Sequence, residues 1–352
     1  MLSINETPVR TSKSFNINNI NINEDEIPDK TYEFNNVEII GESSKIKIDK
    51  IQTPIDLKYG LGEELTNQVK TKSNQNYQII VDSKTNKEVT FNFNFDKENA
   101  SLVENIDITA NEGTSASFIF KYESSKSLKA YHNGIIKLNA KENSKINIII
   151  INLLSDESNN FLTIDNTIEK QANVEYTIVD FGGKKTITNY YSNVKGDLSE
   201  NNLNTIYLGK DNQVIDLNYI AELYGKKSNV NIEVQGALKD KAKKNFKGTI
   251  DFKTGAKKAK GEENENCMLL SDTAKSLALP MLLCSEEDVE GAHSSSAGKI
   301  GEKELFYIMS RGFELKEAQK LMVRANFNKI MENIKNEDLK NLVLKNIDLI
   351  LN

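Results

Sequence analysis

The sequence contains no Trp, two Cys, two His, three Arg and four Pro in 352 residues. Two cysteines cannot staple a chain of this length, so the expected compartment is reducing and cytosolic. Two histidines exclude a self-contained multi-His zinc site. The three arginines, Arg10, Arg311 and Arg324, suit phosphate or base recognition poorly. A formal net charge of -6 repels nucleic acid as well. No Gly-x-Gly-x-x-Gly follows a strand, and neither a Walker loop nor a Gly-x-Ser-x-Gly elbow occurs. Residues 1–22 have no signal-peptide pattern. The longest apolar stretch, residues 146–154, is interrupted by Asn147 and Asn152 and is too short to span a membrane. The expectation is a soluble, cytoplasmic protein.

What is abundant is Asn, about one residue in eight, and short runs rich in Ile, Val, Phe, Tyr and Thr. Three textures divide the chain. Residues 1–75 are irregular and hold Pro8, Pro28 and Pro54, which predicts a poorly ordered or loosely docked leader. Residues 76–300 alternate like strands, as in Val89-Thr-Phe-Asn-Phe-Asn-Phe95. Residues 301–352 take helical spacing, with helices predicted over 302–311, around Leu315–Ile330 and over 338–351, the first stopped by Gly312.

The middle region repeats. Small or polar residues recur near every fourteenth position, from Ser101, Ser115, Ala130 and Ser144 through to Ser228, Ala242 and Ala256. Each unit reads as a turn followed by an alternating strand. Two units per coil predict a solenoid of roughly six coils, about 29 Å long at the interstrand spacing. Asn suits the left-handed turn positions between strands. The absence of Pro between residues 76 and 279 keeps the strand ladder intact. The C-terminal helices are expected to cap the solenoid's end.

Chemistry concentrates in residues 284–293, which hold Cys284, four acids including Glu290, and His293. Thiolate, carboxylate and imidazole suit iron or zinc, although an acidic turn needs no metal. His132 is expected to pack or face solvent, Cys267 and Cys284 to be small buried hydrophobes, and residues 239–247 to form a solvated strand edge and turn.

Several ordered motifs carry a resemblance. They are Asp211-Asn-Gln-Val-Ile-Asp-Leu217, Asp240-Lys-Ala-Lys-Lys-Asn-Phe-Lys-Gly-Thr-Ile250, Met268-Leu-Leu-Ser-Asp272, Pro280-Met-Leu-Leu283, Glu287-Asp-Val-Glu-Gly-Ala-His293 and Leu305-Phe-Tyr-Ile-Met-Ser-Arg-Gly312, with Pro8-Val-Arg-Thr11 near the start. Together they resemble the SufB/SufD family of iron–sulfur cluster assembly proteins, and a SufD-like member in particular. The resemblance implies a mainly β fold: a right-handed parallel β-helix with two strands per turn and a C-terminal α-helical cap. It implies a scaffold that is not an enzyme and pairs with a SufB-type paralogue through the β-helix edges. A SufC-type ABC ATPase would dock on the C-terminal helices, at Phe306, Tyr307, Arg311 and Gly312. It implies no tightly bound cofactor on this chain alone, but a transient iron–sulfur cluster or iron at a subunit interface.

His293 matches the family's interface histidine and is the expected metal contact, with Cys284 and Glu290 beside it. Gly291 replaces the cysteine many members carry, and His293-Ser-Ser-Ser296 replaces His-Gly-Ala-Thr. The essential SufB-type cysteine falls near Glu265, so Cys267, two residues away, is not given that role. Open strand edges give a physical reason to expect a partner. Two alternatives remain: a homodimeric scaffold of the same family, and a β-helical carbohydrate-active enzyme, which the missing arginines disfavour.

Overall fold

A computed structural model describes residues 1–11, 16–41 and 43–352. Two nine-stranded sheets run the length of the molecule and face each other across an apolar lumen. Sheet I runs from Ile46–Asp49 and Gln75–Val81 at one end to Lys243–Phe252 and Lys275–Cys284 at the other. Sheet II runs from Val37–Ile40 and Lys84–Phe95 to Lys260–Leu269 and Glu290–Lys299. The chain alternates between the sheets, so eight coils of one strand pair each stack in parallel. Aligned residues in successive coils lie between 26 and 32 positions apart. Eight coils at the interstrand spacing give a solenoid about 38 Å long.

The mainly β solenoid is therefore as expected, but two coils longer. The fourteen-residue series begins at the third parallel strand and ends just before Lys260–Leu269. The first coil escapes it because the register of Lys84–Phe95 shifts between Lys84 and Glu88. The last coil escapes because the corner at residues 253–259 is longer than its predecessors.

Period-2 alternation sends every second side chain into the lumen, and parallel stacking puts like on like. Phe93 stacks on Tyr122 at 5.1 Å, and Tyr219 lies between Tyr190 and Phe246. The apolar run at residues 146–151 is continuous because both of its faces are buried. Ile146, Ile148 and Ile150 enter the lumen, while Ile149 and Ile151 face outward beneath the C-terminal helices.

Those helices are α2 (Glu302–Ser310), α3 (Leu315–Met331) and α4 (Glu337–Leu351); an earlier helix, α1, spans Glu63–Lys72. Contrary to expectation, α3 and α4 do not close the solenoid's end. Val323, Phe327, Ile330 and Ile347 pack on the outer face of sheet II against Phe181, Ile206 and Leu208. An apolar outer sheet face needs a cover, and an amphipathic helix pair supplies one.

The N-terminal segment is docked rather than loose. Leu2–Ile4 and Ile20–Ile22 form an antiparallel pair, and Ile4, Ile22, Leu65 and Val69 cover Val103, Phe161 and Ile187 on sheet I. Asn5, fully buried with a positive φ, donates to Asp216 Oδ1 at 2.6 Å. Lys247 Nζ donates to the same carboxylate at 2.6 Å and to the Asn5 carbonyl at 2.8 Å. The 239–247 run is thus not wholly solvated, since Lys244 and Lys247 are fully buried on opposite faces of their strand. Asn also departs from its predicted place. Left-handed corners carry Asn143, but also Gln171, Leu198, Asp211, Lys227, Asp240 and Lys258. Asn189 and Asn218 instead lie in strands and donate to the docked N-terminal segment.

The two ends differ. At the start, the four-residue strands Val37–Ile40 and Ile46–Asp49 pair antiparallel with the first coil and end the two sheets. At the other end Lys275–Cys284 and Glu290–Lys299 are edge strands, and among the described residues no strand lies beyond them. Pro280 fits there because an edge strand needs no donor on its open side. Phe327, stacked on Phe181 at 6.0 Å, holds α3 to sheet II. Phe327→Ala should cost about 3 kcal/mol in a denaturant melt while leaving the strand signal in far-UV circular dichroism.

Candidate functional site

The open end collects most of the predicted residues. Glu290–Lys299 is exposed at every position, yet it is held in register on Lys260–Leu269. That register aligns Gly291 with Gly261, His293 with Glu263, Ser295 with Glu265 and Ala297 with Cys267. Glu263, Glu265 and Cys267 are buried in the lumen, so His293 belongs to the lumen row of the last coil. Ser295 Oγ confirms the row by donating to Glu265 Oε2 at 2.8 Å.

Cys284 ends the other edge strand. It is exposed, not buried as expected, and its thiol donates to the Glu286 carbonyl at 2.9 Å. A cavity of about 520 Å³ at this corner is lined by Phe252, Leu282, Cys284, Glu286 and Gly291. Cys284 and the strand carrying His293 therefore share the mouth of the lumen. Glu290 does not join them, since it lies on the opposite face of its strand and pairs with Lys260 at 2.7 Å. Among the described residues, no three His, Cys, Asp or Glu side chains converge to hold a metal.

Beneath the mouth lies a charged layer that the sequence reading missed. Glu265 receives Lys244 Nζ at 2.7 Å and the Tyr207 hydroxyl at 3.1 Å, with both charged side chains fully buried. Glu263 is buried beside them with neither carboxylate oxygen bonded. Burial, reinforced by the Glu265 charge, pushes its pKa up to about 8. Cys267 sits in the same row, and burial raises its thiol. Residues 262–266 are polar on both faces, so the strand by itself does not reveal which row is inside. The signal was the apolar row Ile232 and Val234 one coil earlier, in register with Glu263 and Glu265.

His132, the other histidine, is buried near the solenoid's start, where it contacts Asn160 at 2.6 Å and Glu104 at 3.1 Å. It plays no part at the open end.

The helix α2 stands apart. None of its residues is buried, and Phe306 and Tyr307 are 74% and 59% exposed. Arg311 lies over the Tyr307 ring at 5.2 Å. Gly312 takes φ +96 and ends the helix, donating to the Met309 carbonyl at 2.9 Å. Met309, Phe313 and Leu315 extend the exposed apolar surface. No helix among the described residues is long and apolar enough to cross a membrane.

Residues 91–326 match the family described as SUF system FeS cluster assembly, SufBD core domain. The iron-sulfur cluster assembly protein SufD of Bacillus subtilis is 26% identical over 230 residues, 65% of this chain and 53% of that protein. SufD of Escherichia coli is 24% identical over 236 residues, 67% of this chain and 56% of that protein. An iron-sulfur cluster assembly SufBD family protein of Pyrococcus horikoshii is 32% identical over 161 residues, 45% and 35% of the two chains. The chain spans about half the length of the first two of these curated relatives.

Glu263 yields a pH prediction. Between about pH 4.5 and about pH 8 the folded chain keeps a proton that the unfolded chain has released, so stability falls as pH rises through that window. Glu263→Gln removes this contribution. Thermal melts at about pH 5 and about pH 9 should show the variant losing less stability than the wild type over that range.

Proposed function

The chain belongs to the SufB/SufD family of SUF-system iron–sulfur cluster assembly proteins, and from that membership we propose that it is a SufD-like scaffold subunit. It pairs with a SufB-type paralogue through its open end and receives a SufC-type ATPase on α2. The observation that carries this reading is the asymmetry of the solenoid. Both outer faces are covered and the starting edge is short, formed by Val37–Ile40 and Ile46–Asp49, while the two ten-residue final strands leave their outer sides unpaired, with His293 on one and Cys284 at the end of the other. An uncovered pair of strand edges demands hydrogen-bond partners, and a second solenoid supplies two at once.

The scaffold holds cargo rather than turning over substrate. His293 supplies one ligand to iron or a nascent cluster at the interface, and Cys284 is exposed at the same open end. The partner provides the remaining ligands, in keeping with the few ligating residues on this side. ATP hydrolysis belongs to the ATPase, which grips the exposed Phe306–Tyr307 surface and the Arg311–Gly312 helix end.

A second reading, two copies of this chain joined through the same edges, satisfies the same backbone groups. Co-expression with SufB-type and SufC-type proteins, followed by size exclusion and mass analysis, separates the two. Co-elution of all three supports the heteromeric scaffold. A species of twice this chain's mass that ignores both partners supports the homodimer and overturns the first reading. His293→Ala should lower the visible absorbance of the anaerobically loaded complex several-fold without dissociating it. Unchanged absorbance removes His293 from the site.

A further inference from the structure

Buried carboxylates inside this solenoid normally find partners across the lumen or in the next coil. Glu104 receives the Tyr122 hydroxyl and contacts His132, and Glu265 receives Lys244, Tyr207 and Ser295. Among the described residues, Glu263 is the carboxylate with both oxygens buried and unbonded. Leaving such a group unsatisfied is costly, so its position calls for an explanation.

The lumen is built to admit it. Gly248 faces Glu263 from sheet I, and a Cβ at that glycine would sit 2.1 to 2.2 Å from the carboxylate atoms. Gly248 does not have a positive φ, so its backbone does not require glycine. What requires it is the space the carboxylate occupies. Toward the open end, the next residue in the same row is His293, one interstrand spacing away.

Resting on the scaffold reading, we propose that Glu263 and His293 together are this chain's ligands for a divalent cation, iron(II) as cargo, at the lumen mouth. A carboxylate oxygen and an imidazole nitrogen suit such an ion. The in-register pairing of Glu263 with His293 puts both residues in one lumen row on adjacent strands. A bound cation also satisfies the carboxylate that the fold leaves unpaired. Two ligands do not complete a coordination shell, and the others come from the subunit that meets the open end.

Cobalt(II), titrated anaerobically and followed by visible absorption, is the probe. It is applied to the isolated chain and to the complex with the SufB-type partner. Glu263→Gln and His293→Ala should each weaken binding by about tenfold or more, while Glu262→Gln, on the outer face of the same strand, should not. Glu263→Gln keeps the side chain's shape and is expected to fold at least as well as the wild type, so lost binding is not lost structure. Wild-type affinity in Glu263→Gln, or no cobalt bound by the wild type in either form, overturns the assignment. Co-elution on the same samples reports separately on the scaffold reading. If the partner never co-elutes, the isolated chain still decides: a difference between wild type and Glu263→Gln supports the ligand role, and no difference overturns it.

Discussion

In-register parallel stacking governs this molecule. Each residue inherits its surroundings from the residue one coil earlier, so a position is settled by its row and not by its neighbours in sequence. Aromatic rows follow, with Phe91 against Phe120 and Phe93 against Tyr122. Polar rows follow too, since a buried amide or acid needs a partner and the coil above or below often supplies it. Asn152 meets Asp180 in this way, and His132 meets Asn160. The rule has a boundary condition: the last coil has no successor. Glu265 is answered by Ser295 from that coil, while Glu263 is not answered at all.

Covering the solenoid falls to the chain's two flanks. The N-terminal segment and α1 lie on sheet I, and α3 and α4 lie on sheet II. Each cover is fixed by apolar side chains and pinned by polar ones. Asn5 and Lys247 share Asp216 on one side, and Lys329 reaches Glu233 at 3.0 Å on the other. The buried Lys247–Asp216 pair is costly to desolvate, and the Asn5 contacts help to satisfy it. α2 takes no part in this covering, which leaves its aromatic surface free.

Much of this was legible beforehand, for identifiable reasons. Strand periodicity and the fourteen-residue spacing reveal a solenoid because each coil repeats one local solution. The helical stretches carry their own period and a glycine stop at Gly312. The family match covers residues 91–326, so it begins well before Asp211-Asn-Gln-Val-Ile-Asp-Leu217, the first of the internal motifs that carried the resemblance. Three things were hidden. A lateral cover and an end cap have the same amphipathic pattern, so the place of α3 and α4 could not be read from periodicity. Buried lysines look like any solvated run until their partners, Glu265 and Asp216, arrive from other coils. The row containing Glu263 is set by the long corner at residues 253–259, which alters the count by which inside is told from outside.

The difference between the two edges has a consequence for assembly. A solenoid with equivalent free edges at both ends is a monomer for polymerisation, since every addition regenerates a free edge. Here the starting edge consists of two four-residue strands, Val37–Ile40 and Ile46–Asp49, that run antiparallel to the coils, while the far edge consists of two parallel strands of ten residues. The two edges differ in length and direction, so head-to-tail stacking of copies finds no matching ladder, and association through the longer edge is favoured to stop at a pair.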